Sequence, residues 1–233
     1  MGFNRGLIGF TPDNNGHLMK IISSIFFYCC VVLAANSQTI QLEIVDQNGE
    51  PVPNAVLKTN EKLPETPQLP VAIMDQINKQ FSPHVLIIQQ GQQVSFPNRD
   101  DIRHHVYSFS KAKPFEIRLY QNTPTSPVLF DQAGVVELGC NIHDKMLGYI
   151  YITDGFTTYL TDENGKVTIT VSEQDISQAS LLLWHAKLSK DRLAHQTLTL
   201  AKQAQGNYRA QITLMEEAKP TVSGFKSKFG KSL

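Results

Sequence analysis

The chain has 233 residues, with 21 Lys plus Arg against 21 Asp plus Glu, three cysteines and one tryptophan. At 41 % hydrophobic and 18 % charged it has a globular composition, which excludes a disordered or collagen-like chain. The balanced charge argues against a nucleic-acid or anionic-membrane binder, which carries a basic excess, and three cysteines are too few for a disulfide framework.

Residues 1–37 read as a secretory signal. Met19-Lys20 opens a fifteen-residue apolar stretch, Ile21 to Ala35, shorter than the roughly 17–25 residues of a membrane span. It ends in Ala35-Asn36-Ser37, with small residues at −3 and −1, so cleavage is expected before Gln38. An uncleaved anchor is the alternative. The residues before Met19 show no apolar periodicity, which makes Met19 an alternative translation start. Cys29 and Cys30 lie inside the apolar core and leave with it.

Removing residues 1–37 from 233 leaves 196, enough for one large or two small domains. The removed segment holds two basic and one acidic residue, leaving 19 against 20, a net charge of −1. Cys140 is then the single cysteine of an exported chain. A lone thiol in an oxidising compartment is buried, paired with another chain, or held by a metal.

The remaining signals are almost entirely β. Thr39 to Val45 alternates apolar and polar residues and ends at the Asp46-Gln-Asn-Gly49 turn; Ala55-Val-Leu57 is a second short strand. Thr59 to Pro70 carries three prolines and no periodicity, as a linker or crossover would. Six further strands are expected at Val85–Ile88, Gln93–Phe96, His105–Phe109, Phe115–Leu119, Val135–Leu138 and Tyr149–Ile152, a spacing that suggests a sandwich. Thr157–Leu160 and Val167–Val171 read as a hairpin turning at Asn164-Gly165. Ala179–Trp184, Thr197–Leu200 and Tyr208–Met215 complete the strands, with a short helical turn at 172–178. The tail 218–233 has four lysines and no acidic residue, a weak sign of contact with an acidic partner.

Chemistry concentrates in Cys140-Asn-Ile-His143-Asp-Lys-Met146, a thiol, an imidazole and a thioether within seven residues between two strands. His104 stands 36 residues upstream at a strand start. Two imidazoles, a thiolate and a weak axial Met are the donor set of a blue-copper electron-transfer site. Soft sulfur favours Cu(I), imidazole suits both oxidation states, and a rigid loop keeps rearrangement small. A metal-bound thiolate also accounts for a lone exported cysteine. The other histidines, His84, His185 and His195, lack neighbours of ligand type and read as structural or exposed. Trp184 reads as core. Adjacent Asp100 and Asp101 diverge on an extended chain, so they read as a solvated loop rather than an acid–base pair.

Cys-x-x-His-x-x-Met between strands, with an upstream His-x-Val, resembles the cupredoxins, and its loop length is similar to that of amicyanin. The resemblance covers about residues 71–154, with Phe96-Pro-Asn98 and Phe130 to Gly139 as approach strands. It implies a Greek-key β-sandwich and one mononuclear type 1 copper held by His104, Cys140, His143 and axial Met146. His-x-Val spacing selects His104, with Val106 two residues on, over His105. Two departures stand out. The family carries Asn after the first His, where this chain has His105; Asn141 is the alternative brace. Asp144-Lys145 replaces apolar loop residues, which implies polar docking of redox partner proteins.

Ile44 to Val56 and Thr161 to Ile169 resemble carboxypeptidase-regulatory or transthyretin-like sandwiches. The expected fold is all-β, a cupredoxin-like sandwich combined with a second, smaller one. The expected layout is a signal at 1–37, first strands of the smaller sandwich at 38–67, the copper domain at 68–155, the remaining sandwich at 156–217, and the tail at 218–233. The alternative is an N-terminal strand added to the copper domain, with a separate C-terminal sandwich. The resemblance implies a non-enzymatic carrier of single electrons, exported most simply to the bacterial periplasm, with no membrane span in the mature chain and no nucleic-acid partner. A binding or structural module, and copper delivery or storage, are the alternative functions; zinc is disfavoured because a thioether is a poor zinc ligand.

Overall fold

The computed structural model describes residues 37–64, 69–124, 126–143, 145–173, 176 and 181–216. The expected signal before Ser37 and the tail 218–233 lie outside the described residues, as does most of the helical turn expected at 172–178. The chain runs through β1 (Ser37–Val45), β2 (Val56–Lys62), β3 (Ala72–Ile73), β4 (Asp75–Ile77), β5 (Gln80–Ser82) and β6 (Val85–Gln89). It continues through β7 (Gln92–Ser95), β8 (His104–Ser108), β9 (Phe115–Tyr120), β10 (Val128–Phe130), β11 (Gly134–Cys140) and β12 (Leu147–Thr153). It closes with β13 (Phe156–Leu160), β14 (Lys166–Ser172), β15 (Leu182–Trp184), β16 (His195–Thr197), β17 (Ala201–Lys202) and β18 (Tyr208–Gln211). The fold is all-β. No helix among the described residues is long and apolar enough to cross a membrane.

Two sheets, ordered β14-β1-β18-β17 and β13-β2-β15-β16, face each other. Leu42 and Ile44 of β1, Leu57 of β2, Ile169 of β14 and Leu183 of β15 fill the space between them. Strands from 37–62 and from 156–211 therefore share one core, although 72–153 lies between them in sequence. That intervening stretch forms its own pair of sheets, β6-β12-β11-β8-β9 and β10-β7-β3, with β4 and β5 as a separate hairpin. Its core holds Phe96, Phe130, Val136, Leu138 and Ile150 together with Cys140 and Met146.

β12 lies between the core around Cys140 and a third buried cluster that includes Val56 and Trp184 of the smaller sandwich. Alternate side chains of a strand point to opposite faces, so Ile150 and Ile152 enter the core around Cys140 while Tyr149 and Tyr151 face the other way. Both faces are covered, and Gly148 through Thr153 are all buried. Tyr149 and Tyr151 pack on Trp184 with ring centroids 5.6 and 5.7 Å apart. The Trp184 indole N–H donates to the Arg192 carbonyl at 2.8 Å, and Arg192 pairs with Glu137 of β11. The Tyr151 hydroxyl lies 2.9 Å from His195 Nε2. Each large apolar side chain buried here contributes roughly 1.5–3 kcal/mol.

Several strand expectations change. β2 runs on through Lys62 into the stretch expected as a linker, because β13 pairs with it as far as Lys62, while β15 pairs with Val56, Leu57 and Lys58 on its other side. The hairpin expected at Asn164-Gly165 is not one: β13 pairs with β2 and β14 pairs with β1, so the turn carries the chain between sheets. Asp162 Oδ1 accepts from the Asn164 and Lys166 N–H groups, giving the turn the same local chemistry a hairpin would have. The strand expected at 208–215 stops at Gln211, where β1 ends at its partner Val45. The strand expected at Thr197–Leu200 is displaced to His195–Thr197, where it pairs with β15. β3, β4 and β5 were not expected, since two or three residues cannot show a period.

Burial is the largest cause lowering the pKa of His84, His185 and His195, with His185 brought to about 4. A folded-state pKa below the unfolded value means that acid favours the unfolded chain. Stability should be complete above pH 6.5 and fall as pH drops toward 4, with His185 alone accounting for about 3 kcal/mol. Urea unfolding at pH 7 and pH 4.5 should show that loss, and His185→Asn should flatten the pH dependence.

Candidate metal centre

The loop that carries Cys140, His143 and Met146 is closed by strand pairing. Gly139 of β11 pairs with Leu147 of β12, so residues 140–146 must bridge a single ladder step. Within the loop the His143 N–H donates to the Cys140 carbonyl at 3.4 Å and the Met146 N–H to the His143 carbonyl at 2.9 Å. These bonds fix where the thiol, imidazole and thioether start. β8 lies on the other side of β11, with Cys140 opposite Val106, which brings His104 to the same end of the sheet.

His104, Cys140 and His143 come together, their nearest donor atoms all within 4.8 Å of one another. Cys140 Sγ lies 3.6 Å from His104 Nδ1 and 3.7 Å from His143 Nδ1. The two imidazole rings are 5.1 Å apart. His104 is fully buried, Cys140 is 4 % exposed, and His143 is half-buried at the surface. Met146 is 1 % exposed and belongs to the same core cluster as Cys140. A zinc-sized ion about 2.0–2.3 Å from nitrogen and sulfur, with an angle of about 110–120° between them, separates the two by roughly 3.5–3.8 Å. The observed spacings fit one ion shared by three donors.

His105 points elsewhere, as strand alternation requires. Its Nε2 lies 2.9 Å from a Glu116 carboxylate oxygen, and its ring is 5.9 Å from that of Tyr107. Asn141 is exposed and does not brace the loops. Lys145 is exposed and Ile142 is 48 % exposed, while Asp144 lies outside the described residues.

Asp100 is the residue that sequence reasoning missed. It is no solvated loop carboxylate. His104 Nε2 lies 2.8 Å from Asp100 Oδ2; with Nδ1 turned to the thiol, Nε2 carries the proton and donates it. Carboxylates in this position fix the tautomer and orientation of a metal-binding imidazole. Asp100 also accepts from the Asn78 N–H at 2.7 Å and the Lys79 N–H at 2.9 Å. Burial raises its pKa, but the bonds from Lys79, His104 and Asn78 outweigh that, and the carboxyl lies below its ordinary value. The spacing of Asp100 four residues before His104 was the available signal.

The supports behind Asp100 are built from unexpected elements. Asn78 and Lys79 have φ of 55° and 60°, the pair of positive angles that a type I′ turn needs, and they connect β4 to β5. Phe81 of β5 lies over Gly148, where a Cβ would sit 2.7 Å from the Phe81 Cβ, so the hairpin seats on the strand leaving the ligand loop. Asn98 donates to the carbonyls of Ile102 at 2.8 Å and Tyr120 at 3.2 Å and accepts from the Asp100 N–H at 3.0 Å. Asn98, not Asn141, holds the His104 loop.

Among solved structures the chain resembles the copper-containing nitrite reductase from Thermus scotoductus SA-01, at 20 % identity over 42 % of this chain and 25 % of that one, with a TM-score of 0.35. It also resembles a reduced Cu(I) form of an amicyanin mutant, at 15 % identity over 42 % of this chain and 98 % of that one, TM-score 0.32. A purple cupredoxin from Nitrosopumilus maritimus matches at 22 % identity over 35 % of this chain and 96 % of that one, TM-score 0.31. The chain thus spans a quarter of the nitrite reductase's length. It matches no protein-family model and no curated protein.

Asp100→Ala should loosen His104 without removing any of the candidate donor atoms. Metal affinity is expected to fall about 10–100-fold, read by competition with a chromophoric chelator, while the Cys140 signature of any bound metal persists.

Proposed function

We propose that this chain is an exported, non-enzymatic carrier of single electrons that holds one mononuclear type 1 copper ion through His104, Cys140 and His143, with Met146 as a weak fourth donor. The observation that carries the reading is the thiol set 3.6 and 3.7 Å from two imidazole Nδ1 atoms, two of the three groups being buried. Two imidazoles, one thiolate and a thioether suit copper; a thioether is a poor donor to zinc. Copper held there would alternate between two oxidation states, supplying one-electron chemistry.

The residues around it serve that role by staying still. Asp100 holds the His104 ring, the loop bonds hold Cys140 and His143, and strand pairing on either side limits rearrangement when charge changes. His143, half-buried, is the donor nearest solvent and the expected edge for exchange with redox partner proteins. Export accords with the apolar stretch Ile21 to Ala35 and with a mature chain whose single cysteine sits among metal donors, and the bacterial periplasm is the simplest destination.

Adding Cu(II) to the purified chain should produce an intense visible band from thiolate-to-copper charge transfer with the matching EPR signal. Cys140→Ser and His104→Ala should abolish it, and His105→Ala should leave it. A colourless product, or slow reduction of the added Cu(II), would favour delivery or storage over electron transfer.

The copper segment, residues 68–155, reads further as a domain inserted into a split transthyretin-like sandwich. The supporting observation is that 37–62 and 156–211 share sheets while 72–153 forms its own. Expressed alone, residues 68–155 should fold and give the same visible band; failure to fold would favour a single interdependent unit.

A further inference from the structure

Along β8 the side chains of His104, Val106 and Ser108 turn inward and are buried, so His105 and Tyr107 face outward and Phe109 follows them. The outward rings form a row, with centroids 5.9 Å apart between His105 and Tyr107 and 5.1 Å between Tyr107 and Phe109. Tyr107 is backed by β11: a Cβ at Gly139 would sit 2.7 Å from Tyr107 Cζ. Phe109 is 87 % exposed, the highest value among the large apolar side chains described. Apolar surface gathered in one place and rimmed by polar groups marks a binding site.

The row walls a cavity of about 580 Å³ whose polar lining includes His105, Glu116 and Asn141. That volume falls within the range of roughly 300–1,000 Å³ typical of small-molecule sites. One atom at its edge is unsatisfied. His105 Nε2 is buried and makes no hydrogen bond, although Glu116 Oε1 lies 2.9 Å away. A buried polar atom without a hydrogen bond is costly. Glu116 Oε2 lies 3.7 Å from the exposed Arg118, and a carboxylate offers about four acceptor positions, so Glu116 can accept further.

We propose that this cavity binds a small aromatic molecule bearing a hydroxyl group, with its ring against Tyr107 and Phe109 and its hydroxyl between His105 and Glu116. A hydroxyl both donates and accepts, so it answers the imidazole and the carboxylate together in either His105 tautomer. An apolar ring without a hydroxyl leaves Nε2 unsatisfied, and a molecule without a ring leaves Phe109 uncovered. The cavity lies on the face of β8 opposite His104 and needs no metal, so its test is separate from that of the copper reading.

Titration of the full metal-free chain with 4-ethylphenol, followed by saturation-transfer NMR, should give saturable one-to-one binding. 4-Ethylanisole keeps the ring and lacks the O–H, and 4-ethylcyclohexanol keeps the O–H and lacks the aromatic face. Each should bind roughly fivefold more weakly or worse. Phe109→Ala and Glu116→Ala should each weaken 4-ethylphenol by a similar factor; both side chains are exposed, so their truncation leaves the core intact. Leu129→Ala, an exposed apolar change on β10 outside the cavity, should alter nothing. A response that does not saturate, equal affinity for 4-ethylanisole, or undiminished affinity in either cavity variant would overturn the site.

Discussion

Everything near the centre follows from one demand: a thiol and two imidazoles must be held at contact distance in a place largely closed to water. Polar groups buried without partners are costly, so such a cluster persists only where the backbone leaves its donors no other arrangement. Pairing of β11 with β12 up to Gly139 and Leu147 leaves a loop too short to wander. Pairing of β11 with β8 brings in His104. The remaining freedom is rotation of the His104 ring, and Asp100 removes it.

That local order is anchored in a strand with no free face. β12 leaves the ligand loop with Ile150 and Ile152 in one core and Tyr149 and Tyr151 against Trp184. Displacing it would open the core around Cys140 and the cluster around Trp184 together. The ion pair between Arg192 and Glu137 and the bond from Trp184 to the Arg192 carbonyl tie the smaller sandwich to the same strands. The second sandwich is thus part of the support for the strands on either side of the Cys140–Met146 loop.

The donor types and their order were legible because they sit on a short loop and a strand start, where neighbours in sequence are neighbours in space. Asp100 was misread for the opposite reason. Its meaning depends on the Asn78-Lys79 turn and on His104 folding back toward it, and on an extended chain it looks like one of two solvated carboxylates. Asn164-Gly165 misled differently. Its turn chemistry was read correctly, yet the strands on either side go to different sheets.

By itself the sequence determined the β class, through period-two alternation, and the chemistry on offer, through a thiol, imidazoles and a thioether at fixed spacing. Tertiary structure alone decided which carboxylate steadies His104 and which distant strands share a core. Side-chain chemistry and local geometry are properties of neighbouring residues. Sheet partners and buried contacts depend on which edges meet when the whole chain closes, and β1 pairs with β14 although the intervening sandwich separates them in sequence.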